Sequence, residues 1–214
     1  MSVCACKKAE LKKPSTVNMQ FEINTDESEF SSLKFKSAEL ILQTFTIVGK
    51  RIEGANISFN RILNAPLNVM LDSETNIDEL KFDIPQGEYT ELIINFDGIT
   101  SSYNGKYKPS NSATVDVVFE LENAHDFSIV CDENNQTDLI KLDKKNDKTI
   151  DIELNPKNWF EYVTIDQLDN AEVINGNNGN GQGNNTVLIN ATNNITIYNS
   201  ILSNISSGNK ASIK

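Results

Sequence analysis

Acid–base chemistry in this chain would have to pass through one imidazole, because His125 is the only histidine in 214 residues. A hydrolytic relay needs a base held by a third group. Asp126 adjoins His125, but neighbouring residues of a strand point to opposite faces, so the pair reads as a turn rather than a dyad. One histidine also cannot fill both axial positions of a haem. Carboxylates are plentiful, with 30 Asp and Glu. Glycoside hydrolysis needs two of them roughly 5 to 10 Å apart, a spacing that so many acids meet by chance. Hard oxygen donors of the kind calcium takes cluster at Asp132-Glu133-Asn134-Asn135 with Asp138, and at Asp143, Asn146 and Asp147. Neither cluster has EF-hand spacing, and both read as solvated turns. Cys4 and Cys6 lack further ligands for zinc, and Cys131 stands far from both, which is no disulfide framework. The Asn/Gly run 175–185, NGNNGNGQGNN, lacks the spacing of a phosphate-binding loop. The sequence therefore assigns no catalytic residue, no cofactor and no metal site.

Ligand contact is the remaining chemistry. Trp159, Phe160 and Tyr162 stand close together, and flat rings of this kind stack on sugar faces; Tyr103 and Tyr107 flank Asn104-Gly105 in what reads as an exposed hairpin tip. The alternative for Trp159, the only tryptophan, is that it plugs one end of the core.

The charge balance narrows the partners. Nineteen Lys and Arg against 30 acids leave a net charge of −11, the opposite of the basic footprint that nucleic acid requires. An acidic body is also repelled by an anionic membrane surface. No run of 18 apolar residues occurs, so the sequence offers no spanning helix. Only 38% of residues are apolar, which places part of the length outside a core.

The elements that must position these residues are strands. Val17, Met19, Phe21 and Ile23 alternate with polar residues, as do Val115, Val117, Phe119 and Leu121, the two-residue period of a half-buried strand. Leu33 to Val48 is β-rich, with a helix over Ser37 to Gln43 as the competing reading. Ile52 to Phe59 and Leu67 to Leu71 read as two strands parted by Asn64-Ala65-Pro66. Leu80 to Phe96 reads as a hairpin turning at Ile84-Pro85-Gln86-Gly87, where Pro and Gly suit a tight turn. Gly98 to Ser112 follows as a polar loop. Further strands are expected at Phe127 to Cys131, Ile140 to Leu142 and Ile150 to Leu154. After them come a short helix or extended cover from Leu168 to Val173, a strand at Thr186 to Asn190, and a helix over Asn194 to Ile205 whose apolar residues recur at spacings of three and four. The tail from Ser206 is expected to fray. Seven to nine such strands at short intervals predict an all-β fold, an antiparallel β-sandwich with a short C-terminal helix; closure into a barrel is the other arrangement compatible with the spacing. The expected organisation is a tether over 1–16, the sandwich over 17–165 and a C-terminal extension over 166–214.

Two stretches resemble known proteins. Val3-Cys4-Ala5-Cys6 followed by Lys7-Lys8 resembles the processing site of bacterial lipoproteins and the mature start of surface lipoproteins of the Bacteroidota. Ala38 to Leu42, Val48-Gly49-Lys50 and Phe82 to Tyr89, with its Pro-x-Gly-x-Tyr, resemble the β-sandwich lipoproteins of that group whose domains have no known function and which are distantly similar to prealbumin-like modules. The resemblance implies an Ig-like or prealbumin-like fold, Cys6 as the lipid anchor, and an outer-membrane, surface or periplasmic setting. It also implies that an apolar stretch is encoded immediately before Val3. The expected role is non-enzymatic, binding or structural, with contact to the membrane through the anchor only and a glycan or protein as partner. A carbohydrate-binding or adhesin-like module using Trp159, Phe160 and Tyr162 is the second reading, and an enzyme of unidentified carboxylate chemistry the third.

Overall fold

A computed structural model describes residues 13–26, 33–71, 80–133, 139–144, 147–175, 185–206 and 208–214. Cys4, Cys6, the tether through residue 12, Asn134, Asn135, Asp138, Asn146 and most of the Asn/Gly run lie outside the described residues. The described chain is mostly strand. In order it runs β1 (Pro14–Ile23), β2 (Lys34–Arg51), β3 (Ile57–Met70), β4 (Lys81–Pro85), β5 (Gly87–Tyr107), β6 (Val115–Glu133), β7 (Ile140–Leu142) and β8 (Lys148–Leu154). Then come α1 (Pro156–Trp159), α2 (Ile165–Asp169), β9 (Val173–Asn175), β10 (Asn185–Ile189), α3 (Ile195–Leu202) and β11 (Lys210–Ile213).

The hydrogen-bonded order is β3-β2-β5-β6-β11-β8-β1-β4, with β7 beside the start of β5, β10 beside β6 and β9 beside β10. This path folds over itself into two layers. Phe45 of β2 meets Phe82 of β4 with ring centroids 5.6 Å apart, Phe59 of β3 stacks on the same ring at 5.9 Å, and Phe21 of β1 reaches Phe96 of β5 at 5.5 Å. The two ends of the path thus face each other across one continuous core. The sheet is mixed. β1 runs parallel to β8, and both β10 and β11 run parallel to β6, where a wholly antiparallel sandwich was expected.

The long strands keep their apolar face inward by slipping phase at bulges. In β2 the buried positions are Phe35, then Ala38, Leu40 and Leu42, then Phe45 and Ile47. The ladders shift between Phe35 and Ser37 and between Leu42 and Thr44, so each bulge absorbs the residue that breaks the alternation. That broken rhythm is what made a helix over Ser37 to Gln43 compete. In β5 the phase slips after Phe96, at Gly98, whose φ of 72° suits glycine. Beyond it Ile99, Ser101, Tyr103 and Tyr107 are buried. The stretch Gly98 to Tyr107 is therefore strand, not a loop with an exposed tip. Asn64-Ala65-Pro66 is likewise a bulge within β3, since the ladder passes from Leu42↔Leu67 to Thr44↔Ile62.

Two further expectations are corrected. Leu80 to Phe96 is not a hairpin: β4 pairs with β1 at one end of the path, and β5 pairs with β2, β6 and β7. The Pro85-Gln86-Gly87 corner carries the chain from one layer to the other. It is fixed by the Tyr89 hydroxyl donating to the Pro85 carbonyl, by Arg51 Nη1 donating to the Gln86 carbonyl, and by the Gln86 amide donating to Lys13. Pro and Gly here set a change of direction and not the pairing partner. The tail does not fray either. β11 lies between β6 and β8, antiparallel to β8 and parallel to β6, with Ala211 and Ile213 buried. β10 and β11, both from the expected C-terminal extension, are strands of the sheet.

Candidate functional site

One group of polar side chains converges on the outer face of β2, β5 and β6. The register aligns Glu39 with Ser102 and Ser102 with Glu120, and Ile41 with Thr100. Alternation sends their neighbours Leu40, Ser101, Tyr103 and Leu121 into the core, so Glu39, Ser102 and Glu120 form one row across three strands. At about 4.8 Å per strand the backbones of Glu39 and Glu120 stand roughly 10 Å apart on either side of Ser102. With Glu122 they border a shallow groove of about 300 Å³ floored by Thr100 and Ser102.

One residue organises the acidic side of this groove. Asn190 directly follows β10, which lies parallel to β6 with Ile189 opposite Phe119, and this placement brings Asn190 beside the next outward positions of β6. It is only 3% exposed. Its Nδ2 donates to Glu120 Oε2 at 3.0 Å and to Glu122 Oε1 at 3.2 Å. Its Oδ1 accepts from the amides of Thr192 and Asn193 at 3.0 and 2.7 Å. The local turn thus locks the amide, and the amide bridges both carboxylates. Each carboxylate keeps accepting capacity for a further donor, a hydroxyl or an amine.

The aromatic residues are placed differently from a sugar platform. Pro156 at the start of α1 turns the chain sharply as it leaves β8, and Trp159 enters the core. Its ring lies edge-on to Tyr103 with centroids 5.0 Å apart, and Phe160 packs on Phe35 at 5.2 Å and Phe119 at 5.9 Å. Trp159 and Phe160 are each 1% exposed, while Tyr162 is 64% exposed. Of the three candidate contacts only Tyr162 is presented to solvent, and Tyr103 and Tyr107 are buried with the other two. The reason is that Trp159 Nε1 donates to Asn209 Oδ1 at 3.0 Å, which satisfies the indole inside the protein.

No family model, no curated protein and no solved structure matches the chain. The geometry stands by itself. Among the described residues no group of three or more His, Cys, Asp or Glu is placed to hold a metal ion. No described helix is long and apolar enough to cross a membrane. His125 lies on β6 with its backbone opposite Ile99.

A second cleft, of about 610 Å³, follows β3 from Phe59 to Leu67 around the bulge. Another polar cluster closes the far end of β5. The Tyr107 hydroxyl donates to Asp169 Oδ1 at 2.5 Å, and the Ser110 amide donates to the same oxygen at 3.2 Å. Burial and the neighbouring carboxylate push the Tyr107 phenol up, and the phenol's hydrogen bond holds the Asp169 carboxyl below its ordinary value. This is a clasp between β5 and α2.

Sequence reasoning missed the row Glu39, Ser102, Glu120 and the bridging Asn190. Glu120 and Glu122 are legible as outward residues of an alternating strand. Their partners come from β2 and from the turn after β10, and such long-range register leaves no local mark.

Proposed function

We propose that this chain is a non-enzymatic binding module of the cell envelope, tethered to a membrane through an acylated Cys6, that takes its ligand on the outer face of β2, β5 and β6. The observation that carries the binding reading is the bridge from Asn190 to Glu120 and Glu122. A buried amide fixed by its own turn holds two carboxylates on a half-exposed sheet face, opposite Glu39 and beside two hydroxyl side chains. Such a pre-formed row of acceptors suits a ligand rich in donors, a glycan or an amine-bearing chain, and its rigidity lowers the entropy lost on binding.

The tether rests on Val3-Cys4-Ala5-Cys6-Lys7-Lys8. With β1 beginning at Pro14, Lys7 to Lys13 would form the spacer, with a greatest reach of about 25 Å. The two-layered architecture is read as a variant of the Ig-like or prealbumin-like sandwich, with parallel partners added by β8, β10 and β11.

Glycan-array and polyamine titrations of the full chain test the binding role. Binding to one of these classes is expected, reduced at least about tenfold in a Glu120→Gln/Glu122→Gln variant. Binding unaffected by that change, or none to either class, would remove the groove as the site.

A further inference from the structure

We propose that the outer edge of β3 pairs antiparallel with the same edge of a second copy of this chain, about a two-fold axis at Asn60. β3 ends the strand order, and among the described residues it pairs only with β2. An edge of this kind offers a row of main-chain donors and acceptors that proteins commonly blunt with charge. Here the charge is withheld: from Gly54 to Leu71 the chain has no Asp or Glu and one cation, Arg61, in a protein of net charge −11. Two such acidic bodies repel each other across most of their surface. The acid-free edge is where they can approach.

The sequence of the edge is complementary to itself. A two-fold axis perpendicular to the sheet keeps faces matched, so residues of like parity are opposed. Centring it at Asn60 sets Ile57 opposite Leu63, Ser58 opposite Ile62, and Phe59 opposite Arg61 of the second copy. Ile57, Phe59, Arg61 and Leu63 are half-buried, and Ser58, Asn60 and Ile62 are exposed, so each opposed pair shares a face. Arg61 then lies beside an aromatic ring twice over, by symmetry. Centring the axis at Arg61 instead would oppose two guanidinium groups, which is unfavourable. The arrangement also covers Ile62, an apolar side chain 73% exposed in the single chain. The Leu63–Pro66 bulge limits the pairing to the first half of the strand, because it bends the edge and Pro66 brings no N–H. Pairing over so short a segment makes a small interface, so the association is concentration-dependent rather than permanent.

Sedimentation equilibrium of the full chain, with Cys4 and Cys6 changed to Ser, over about 1 to 200 µM tests this. A monomer–dimer equilibrium is expected, with its Kd raised at least about tenfold by Ile62→Lys and unchanged by Ile195→Lys, another exposed position. Asn60→Cys is expected to form a disulfide-linked dimer on mild oxidation, because directly opposed residues of antiparallel strands lie about 4.5 to 5.5 Å apart at Cα, within disulfide reach. Ser58→Cys, opposed to Ile62, is expected to cross-link far less. A monomer across the whole range, a dimer indifferent to Ile62→Lys, or equal cross-linking of both cysteine variants would overturn the proposal.

Discussion

Trp159 and Asn209 are joined by a hydrogen bond from the indole Nε1 to the amide Oδ1 at 3.0 Å, and the same oxygen accepts the Asn155 amide at 3.0 Å. Asn209 Nδ2 donates in turn to the Ile205 carbonyl at 2.9 Å. One side chain therefore ties the exit of β8, the only tryptophan and the turn leading into β11. Replacing Asn209 by Ala strands two donors that are largely removed from water. A loss of about 2 kcal/mol is expected in urea unfolding, with a change in the near-UV signal of Trp159 in the folded state.

The strand that this tie precedes completes the sheet. Ala211 is paired with Cys131 on one side and with Ile152 on the other, and Thr149 and Lys214 exchange amide bonds at the end of the chain. Ala211→Pro removes an N–H from between two strands. Destabilisation of roughly 3 kcal/mol or more is expected, with loss of amide-exchange protection in β8 rather than in β2. Protection lost evenly across both strands would show that β11 is not a local keystone.

Close approach of β2 and β5 depends on a missing side chain. A Cβ at Gly105 would stand 2.6 Å from the Lys34 carbonyl oxygen and 3.1 Å from Phe35 Cα, both backbone atoms. Gly105→Ala is expected to cost about 2 kcal/mol, through displacement of the start of β2. Thermal unfolding would read the effect as a fall in Tm.

The clasp between Tyr107 and Asp169 gives a pH dependence of defined sign. Because the hydrogen bond from Tyr107 lowers the Asp169 carboxyl from 3.8, its contribution is present above the unfolded value and is lost as pH falls through the folded one. Tyr107→Phe is expected to be less stable than the parent by about 1 kcal/mol at neutral pH. The gap should narrow as pH falls below the unfolded value of 3.8 and toward the lower one at which the folded carboxyl protonates. Paired urea titrations at pH 7 and pH 3 measure it.

How much of this was legible in the sequence follows from which forces are local. Alternation in Val17 to Ile23 and Val115 to Leu121 declared strands because side-chain direction depends only on neighbours. Helix α3 declared itself through Tyr198 and Ile201 for the same reason. Pairing is not local. The corner at Pro85 to Gly87 has the composition of a hairpin turn, yet its two strands lie in different layers, because the Phe82 ring finds Phe45 and Phe59 across the core. Leu33 to Val48 marked nearly the whole of β2, whereas bulges hid the length of β3 and β5 by breaking the alternation that marks a strand. β11 was invisible because a four-residue strand, KASI, carries too few apolar positions to stand out until a gap between β6 and β8 is there to receive it. Trp159 and Phe160 belonged to an aromatic cluster that sequence alone could place inside or outside. The indole's partner, 50 residues away, decided for the inside.

The tethered binding role is tested most directly by the mass of the N-terminal peptide of the protein isolated from the membrane fraction of its own cells, expressed from the gene with its native upstream sequence. The expected species begins at Cys6 and carries acyl chains that disappear, together with membrane association, in Cys6→Ser. A peptide that retains Met1 through Cys6 without acylation, from a protein recovered in the soluble fraction, would contradict the account.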